Sequence, residues 1–140
     1  MEAVIRQRTE DVLDALPRNE TFDWVDKVSI ELTTMMLATL FDFPFEDRRM
    51  LTYWSDVATA DFDAPGALVK SDEERLEILK EMGQYMGKLW RQRADKDGGF
   101  DLISMLSQDA ATKDMSPMDL IANSTLLIVG GNDTTRNSMS

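Results

Sequence analysis

The segment GGNDTT, residues 130 to 135, places a carboxyl group and a hydroxyl group beside two glycines. On a continuous helix these polar groups would share one face with Leu126 and Gly130, because residues three and four positions apart lie above one another. The Thr134 hydroxyl could then bond the Gly130 carbonyl, or turn away and leave that carbonyl to a water molecule. The segment would form a small polar notch in an apolar wall, and the glycines would let a bulky, flat group approach the backbone.

The two glycines also admit other interpretations. Each glycine inside a helix costs about 1 kcal/mol relative to alanine, so the helix could end near Val129. The glycines would then cap it, and residues 132 to 134 would cap the next element. A helix starting at Asn132 would offer free N–H groups to an anion, although the charge of Asp133 opposes that. The residues alone leave the continuous helix and the turn both open.

Composition limits the chemistry available to the chain. It has no cysteine and no histidine, which excludes disulfides, thiolate metal sites and the commonest general base. The net charge of −11 argues against a nucleic-acid partner. No apolar run approaches the ~20 residues that span a membrane, and no secretory leader is visible. We therefore expect a cytoplasmic protein with one domain over residues 1–140 and no membrane span.

The spacing of apolar residues predicts an all-α chain without strands. The first predicted helix covers residues 2–16, the second runs from a cap at Thr21 or Asp23 to about Leu40, and the third begins at Pro44. The fourth begins at a capping box formed by Ser71 and Glu74 and is stopped by Gly98-Gly99. A short helix follows Asp101, and the last helix follows Ser116. The second helix should bury Trp24, Val28, Leu32, Met35 and Met36. Residues 61–70 break the pattern and predict a loop. The last helix is apolar around most of its circumference, which predicts burial on nearly all sides.

The segment GGNDTT resembles the oxygen-binding part of the long central helix in cytochromes P-450, whose pattern is Ala or Gly, Gly, any residue, Asp or Glu, Thr. The longer run LLIVGGNDTTRNSMS resembles the bacterial members that hydroxylate medium-chain alkanes and fatty acids at the terminal carbon. The resemblance implies helices D, E, F, G and H and the N-terminal part of helix I. The family's axial cysteine and Glu-x-x-Arg pair would lie outside this chain, so we expect an internal fragment that is inactive alone.

By the same resemblance, the complete enzyme is a monooxygenase that uses haem b, O₂ and an apolar substrate. Its electrons would come from NAD(P)H through a ferredoxin reductase and a ferredoxin. The loop 61–70 would act as a lid. The implied site residues are Asp133 and Thr134 for proton relay, Gly130 and Gly131 for room at the haem and its oxygen, and Leu126 and Val129 for substrate contact. The alternative is an all-α interaction or regulatory domain without catalysis, in which Gly130-Gly131 is only a turn.

Overall fold

The computed structural model describes residues 1–94 and 99–140, and the elements in these two stretches are helices without any strand. This confirms the all-α prediction. The α-helices are α1 (Glu2–Asp14), α2 (Glu31–Phe41), α3 (Arg49–Ala58), α4 (Asp72–Ala94), α5 (Leu102–Gln108) and α6 (Pro117–Met139). A π-helical turn, Val25–Ile30, leads directly into α2, and a 3₁₀ turn, Phe45–Asp47, precedes α3.

Side-chain caps start three of these helices where the sequence predicts them. The Ser116 hydroxyl accepts the Asp119 amide at 3.2 Å, and the Asp119 carboxylate accepts the Ser116 amide at 3.3 Å, which completes a capping box. The Asp101 carboxylate accepts the Ser104 amide at 3.0 Å and so caps α5. At α4, the Ser71 hydroxyl accepts the Glu74 amide at 3.2 Å. These bonds satisfy amide groups that a helix start leaves without an intrahelical partner.

The predicted start of the third helix differs from the structure. Pro44 has an extended ψ of 120° and precedes the 3₁₀ turn, so α3 begins at Arg49 and not at Pro44. The fourth helix is described as far as Ala94, so its predicted end is not tested. Of the glycine pair predicted to stop it, Gly98 lies outside the described residues.

The buried face of α2 is shifted from the predicted one. Trp24 is 46% exposed, although the spacing predicted its burial. The buried residues of α2 are Thr33, Thr34, Leu37, Ala38 and Phe41. The π-helical turn accommodates an extra residue, which rotates the following helix relative to an ideal register. Burial of the threonines is possible because each hydroxyl donates to a carbonyl one turn earlier in its own helix.

The core lies where α2, α3 and α4 meet α6. Its centre is formed by large apolar side chains that are almost completely shielded from solvent, namely Phe41, Leu51, Trp54, Met82, Met86 and Ile128. Packing against three helices holds α6 in place along most of its length. No helix in the described ranges is long and apolar enough to cross a membrane.

The connection between α3 and α4, residues 59 to 71, contains no helix and so confirms the predicted loop. Val69 is 1% exposed and anchors the loop in the protein. The Arg75 guanidinium donates to the Ala60 carbonyl at 2.6 Å and lies 4.2 Å from the centre of the Phe62 ring. The loop is therefore tied to the first turns of α4 at two points along its length.

Candidate functional site on helix α6

Helix α6 continues through Gly130 and Gly131 to Met139 without interruption. This confirms the continuous helix and shows that the turn interpretation was wrong. It also removes the proposed anion site, because Asn132 to Thr134 lie inside a helix whose amides are already bonded. The two glycines together cost about 2 kcal/mol of helix propensity, which is small beside the packing of α6 against three other helices.

One face of α6 is open. Leu126 is 71% exposed, and Thr134 is exposed two turns further along the same face. Between them, a Cβ atom added to Gly130 would meet no heavy atom of residues 1–94 and 99–140 within 4 Å, apart from nearby backbone of its own helix. We call Leu126, Gly130 and Thr134 the open strip. The opposite stripe of Ser124, Ile128 and Asn132 is buried.

The prediction that α6 is buried on nearly all sides is therefore wrong. Helices α2, α3 and α4 all contact α6, and its buried residues form one narrow stripe. Apolar residues outside that stripe remain accessible, including Met118 at 58% exposure. The apolar residues around α6 predicted packing on all sides of the helix, whereas the described residues pack against only part of its circumference.

The two glycines face different surroundings. A Cβ atom on Gly131 would lie 2.7 Å from Cδ2 of Leu37, a side chain of α2 that is only 3% exposed. Gly131 therefore permits the close approach of α2 and α6. Among the described residues, none packs against Gly130 in a comparable way.

Thr134 makes the helical bond that the sequence left as one of two possibilities. Its hydroxyl donates to the Gly130 carbonyl at 3.0 Å. The bond lies on the open strip, so a polar donor and acceptor sit beside the bare Cα of Gly130. Val129 is half-buried, one position before the glycines.

Asp133 belongs to a polar cluster that joins α6 to α3. Its Oδ1 atom accepts hydrogen bonds from the Ser55 hydroxyl at 3.2 Å and from Nη2 of Arg136 at 3.0 Å. The Asn132 side-chain amide also approaches this oxygen, at 3.3 Å. Nη1 of Arg136 bonds Oδ1 of Asp56 at 2.8 Å. Asp133 and Thr134 are adjacent in sequence, but within the described part of the chain only Asp133 is bonded to another helix.

Sequence reasoning missed most of this cluster. Arg136 stands three residues after Asp133, a spacing at which opposite charges pair on a helix, so that contact could have been found. Ser55 lies 78 positions from Asp133, and nothing local in the sequence marks the contact.

The open strip fits a flat prosthetic group, because a bare Cα between two accessible side chains lets a planar molecule lie against the backbone. It could not hold a metal ion by itself. The described residues contain no cluster of three or more histidine, cysteine or carboxylate side chains suited to a metal, and the chain has neither cysteine nor histidine. An iron ligand for haem would have to come from outside these residues.

Solved structures similar to this chain are cytochromes P450. Cytochrome P450-153 from Novosphingobium aromaticivorans is 52% identical, with a TM-score of 0.83 over 100% of this chain and 32% of that one. CYP153D17 from Sphingomonas sp. PAMC 26605 is also 52% identical, with a TM-score of 0.81 over 99% of this chain and 34% of that one. Identity at this level extends the similarity from the fold to the sequence.

Curated proteins point to the same family. A cytochrome P450 of Bacillus subtilis (strain 168) is 30% identical over 98% of this chain and 32% of its own length. The linalool 8-monooxygenase of Pseudomonas putida is 30% identical over 100% of this chain and 34% of its own length. No family model matches the chain. The chain spans about a third of the length of the curated relatives it matches.

Proposed function

We propose that this chain, which corresponds in sequence and fold to one segment of the cytochrome P450 family, forms the oxygen-side wall of the active site in a haem-dependent monooxygenase. Two features support the proposal. The similarity to cytochromes P450 covers the whole chain, and two residues of the open strip, Gly130 and Thr134, lie in the segment GGNDTT. The second feature carries the proposal, because no described residue packs against position 130 to require a glycine there.

The residues of α6 would have distinct tasks. Gly130 would let the flat face of haem, with its oxygen, approach the backbone, and Gly131 would keep α6 tight against α2. Haem, when bound, supplies oxygen activation and oxygen-atom transfer to a C–H bond. Leu126 and Val129 would present apolar surface to the substrate and keep water from it. Neither side chain offers a polar group, which suits a hydrocarbon chain.

Asp133 and Thr134 would deliver protons. The Asp133 side chain is 24% exposed, so its carboxylate can exchange protons with solvent while it is bonded to the protein. The Thr134 hydroxyl would give up its own proton at the open strip and take a replacement from that side, or it would hold a water that carries the proton. Its present bond to the Gly130 carbonyl needs only a rotation about χ1 to redirect the hydroxyl. General acid assistance of this kind typically contributes ~10²–10⁴-fold to a rate.

We further propose the terminal carbon of a medium-chain alkane or fatty acid as the site of hydroxylation. The support is the resemblance of the run LLIVGGNDTTRNSMS to bacterial enzymes of that specificity, together with the apolar side chains of Leu126 and Val129. A ferredoxin and a ferredoxin reductase would deliver electrons, in the cytoplasm. The loop 61–70 would cover the substrate, since it joins α3 and α4 and is tied down at its base by Arg75.

The test uses the complete enzyme that contains this segment. Its reduced carbon monoxide complex should show the absorption band of thiolate-ligated haem, and with NADH and redox partners it should convert n-octane to the terminal alcohol. The 140-residue chain, lacking cysteine, should show no such band and serves as the control. Absence of the band from the complete enzyme would refute haem-dependent monooxygenation. If the band is present but octane is oxidised at another carbon atom, only the terminal specificity is refuted.

A further inference from the structure

We infer that Arg136 and Asp56 act as a clamp that positions Asp133 for proton delivery, an inference that rests on the proposed function. The guanidinium of Arg136 spans two carboxylates, with Nη2 on Asp133 at 3.0 Å and Nη1 on Asp56 at 2.8 Å. Asp56 belongs to α3 and Asp133 to α6, so the bridge connects two helices. A second contact with α3 comes from the Ser55 hydroxyl, which donates a hydrogen bond to the Asp133 carboxylate at 3.2 Å.

The clamp is shielded from solvent to a degree that makes it effective. The side chain of Arg136 is 17% exposed, that of Asp133 24% and that of Asp56 33%. Exposed ion pairs contribute little because water screens them, whereas partial burial strengthens the attraction. For comparison, the pair of Arg6 and Glu2 on α1 is 71% and 92% exposed, and its atoms lie 3.7 Å apart.

Arginine suits this place because its planar fork offers separate N–H groups to two acceptors. A lysine at position 136 would supply one ammonium group and could not reproduce the same two-sided bridge. The net result is that the Asp133 carboxylate has little freedom to swing. Positioning matters for its proposed task, since a displacement of about 1 Å can cost as much as ~10²-fold in rate.

The two oxygens of the Asp133 carboxylate differ in the hydrogen bonds that they accept. The hydrogen bonds from Ser55, Asn132 and Arg136 all end on Oδ1. Within residues 1–94 and 99–140, no hydrogen bond reaches Oδ2. We assign Oδ1 to anchoring and Oδ2 to proton transfer. Oδ2 takes a proton from solvent water and passes it towards the Thr134 hydroxyl, after which the carboxylate is restored.

The experiment compares variants of the complete enzyme. Arg136→Met removes the charge and keeps the length of the side chain, Asp56→Asn removes the far end of the clamp, and Asp133→Asn removes the proton carrier. Arg6→Met breaks an exposed ion pair on α1 and is the matched control. The measurements are the reduced carbon monoxide band, kcat and KM, and the urea unfolding equilibrium.

We expect Arg136→Met to lower kcat about 10- to 100-fold with KM within about twofold, and Arg6→Met to leave both unchanged. Combining Arg136→Met with Asp133→Asn should be no slower than Asp133→Asn alone, because both act through the same carboxylate. A wild-type kcat in Arg136→Met, or multiplicative losses in the double variant, would overturn the clamp. The spectral band should persist throughout; its absence from the wild type would instead refute the proposed function.

The unfolding measurement tests the clamp without any turnover. In a double-mutant cycle, Arg136→Met and Asp56→Asn should be coupled by at least about threefold in the unfolding equilibrium constant. Independent effects of the two substitutions would show that the bridge to α3 is not formed and would overturn the inference.

Discussion

Alanine substitution at Gly130 and at Gly131 distinguishes a glycine that packs against a neighbouring helix from one that does not. In an exposed helix interior, alanine is more stable than glycine by about 1 kcal/mol. A Cβ atom at position 130 meets nothing within 4 Å, so this gain should be realised almost in full. We expect Gly130→Ala to raise the free energy of unfolding by about 0.5–1 kcal/mol.

Gly131→Ala should behave differently despite the identical chemical change. The new methyl group would lie 2.7 Å from Cδ2 of Leu37, so Leu37 must move. Leu37 is 3% exposed and belongs to the core cluster, which limits where it can go. Overpacking of this kind costs about 1–3 kcal/mol, which outweighs or cancels the propensity gain. The two variants should therefore differ by about 1–3 kcal/mol, with Gly131→Ala the less stable.

Urea unfolding followed by circular dichroism measures this difference. With a slope of about 1–3 kcal/mol per molar urea, the midpoints should be separated by several tenths of a molar or more. Equal midpoints would show that Leu37 yields freely and that α2 and α6 do not need the glycine.

Three further expectations follow from other contacts. Thr134→Ala should lower the product formed per NADH consumed and release more hydrogen peroxide, while substrate binding is retained; an unchanged ratio would remove the proton-relay role. Gly83→Ala should destabilise the protein by about 1–3 kcal/mol in urea unfolding, because its Cβ would lie 2.3 Å from Cγ1 of Ile121. Burial opposes ionisation of Asp101, but hydrogen bonds from Ser104 and the charge of Arg93 outweigh it and lower its pKa. The Asp101 carboxylate therefore stabilises the fold above its unfolded pKa of about 3.9, and this stabilisation is lost as pH falls through the lower folded pKa. The difference in free energy of unfolding between wild type and Asp101→Asn should accordingly shrink below about pH 4.

The parts of the fold that depend on residues close together in the sequence were predictable. The helix starts at Ser71, Asp101 and Ser116 follow from side chains that bond amides two or three residues later. The continuity of α6 was the harder case. Local propensity balanced a turn against a helix, and the resemblance to a family tipped the expectation towards the helix that the structure contains.

What the sequence could not provide was the buried face of α2 and that of α6. The π-helical turn before α2 changes the register of its buried face, and no residue pattern announced it. The open strip on α6 likewise depends on which elements pack against it. The cluster around Asp133 combines a local pair, which spacing predicts, with contacts to Ser55 and Asp56 that exist only after α3 folds against α6.

The contrast between the two glycines gives the strongest reason to place the site at position 130. At Gly131, the cost in helix propensity, about 1 kcal/mol, is offset by the close approach of Leu37, since burying a leucine side chain contributes about 1.5–3 kcal/mol. At Gly130, no contact within the described residues offsets the same cost. A residue that lowers stability without improving packing is expected chiefly where function requires it. Gly130, with Asp133 held one turn away by α3, therefore supports the proposed position of the site.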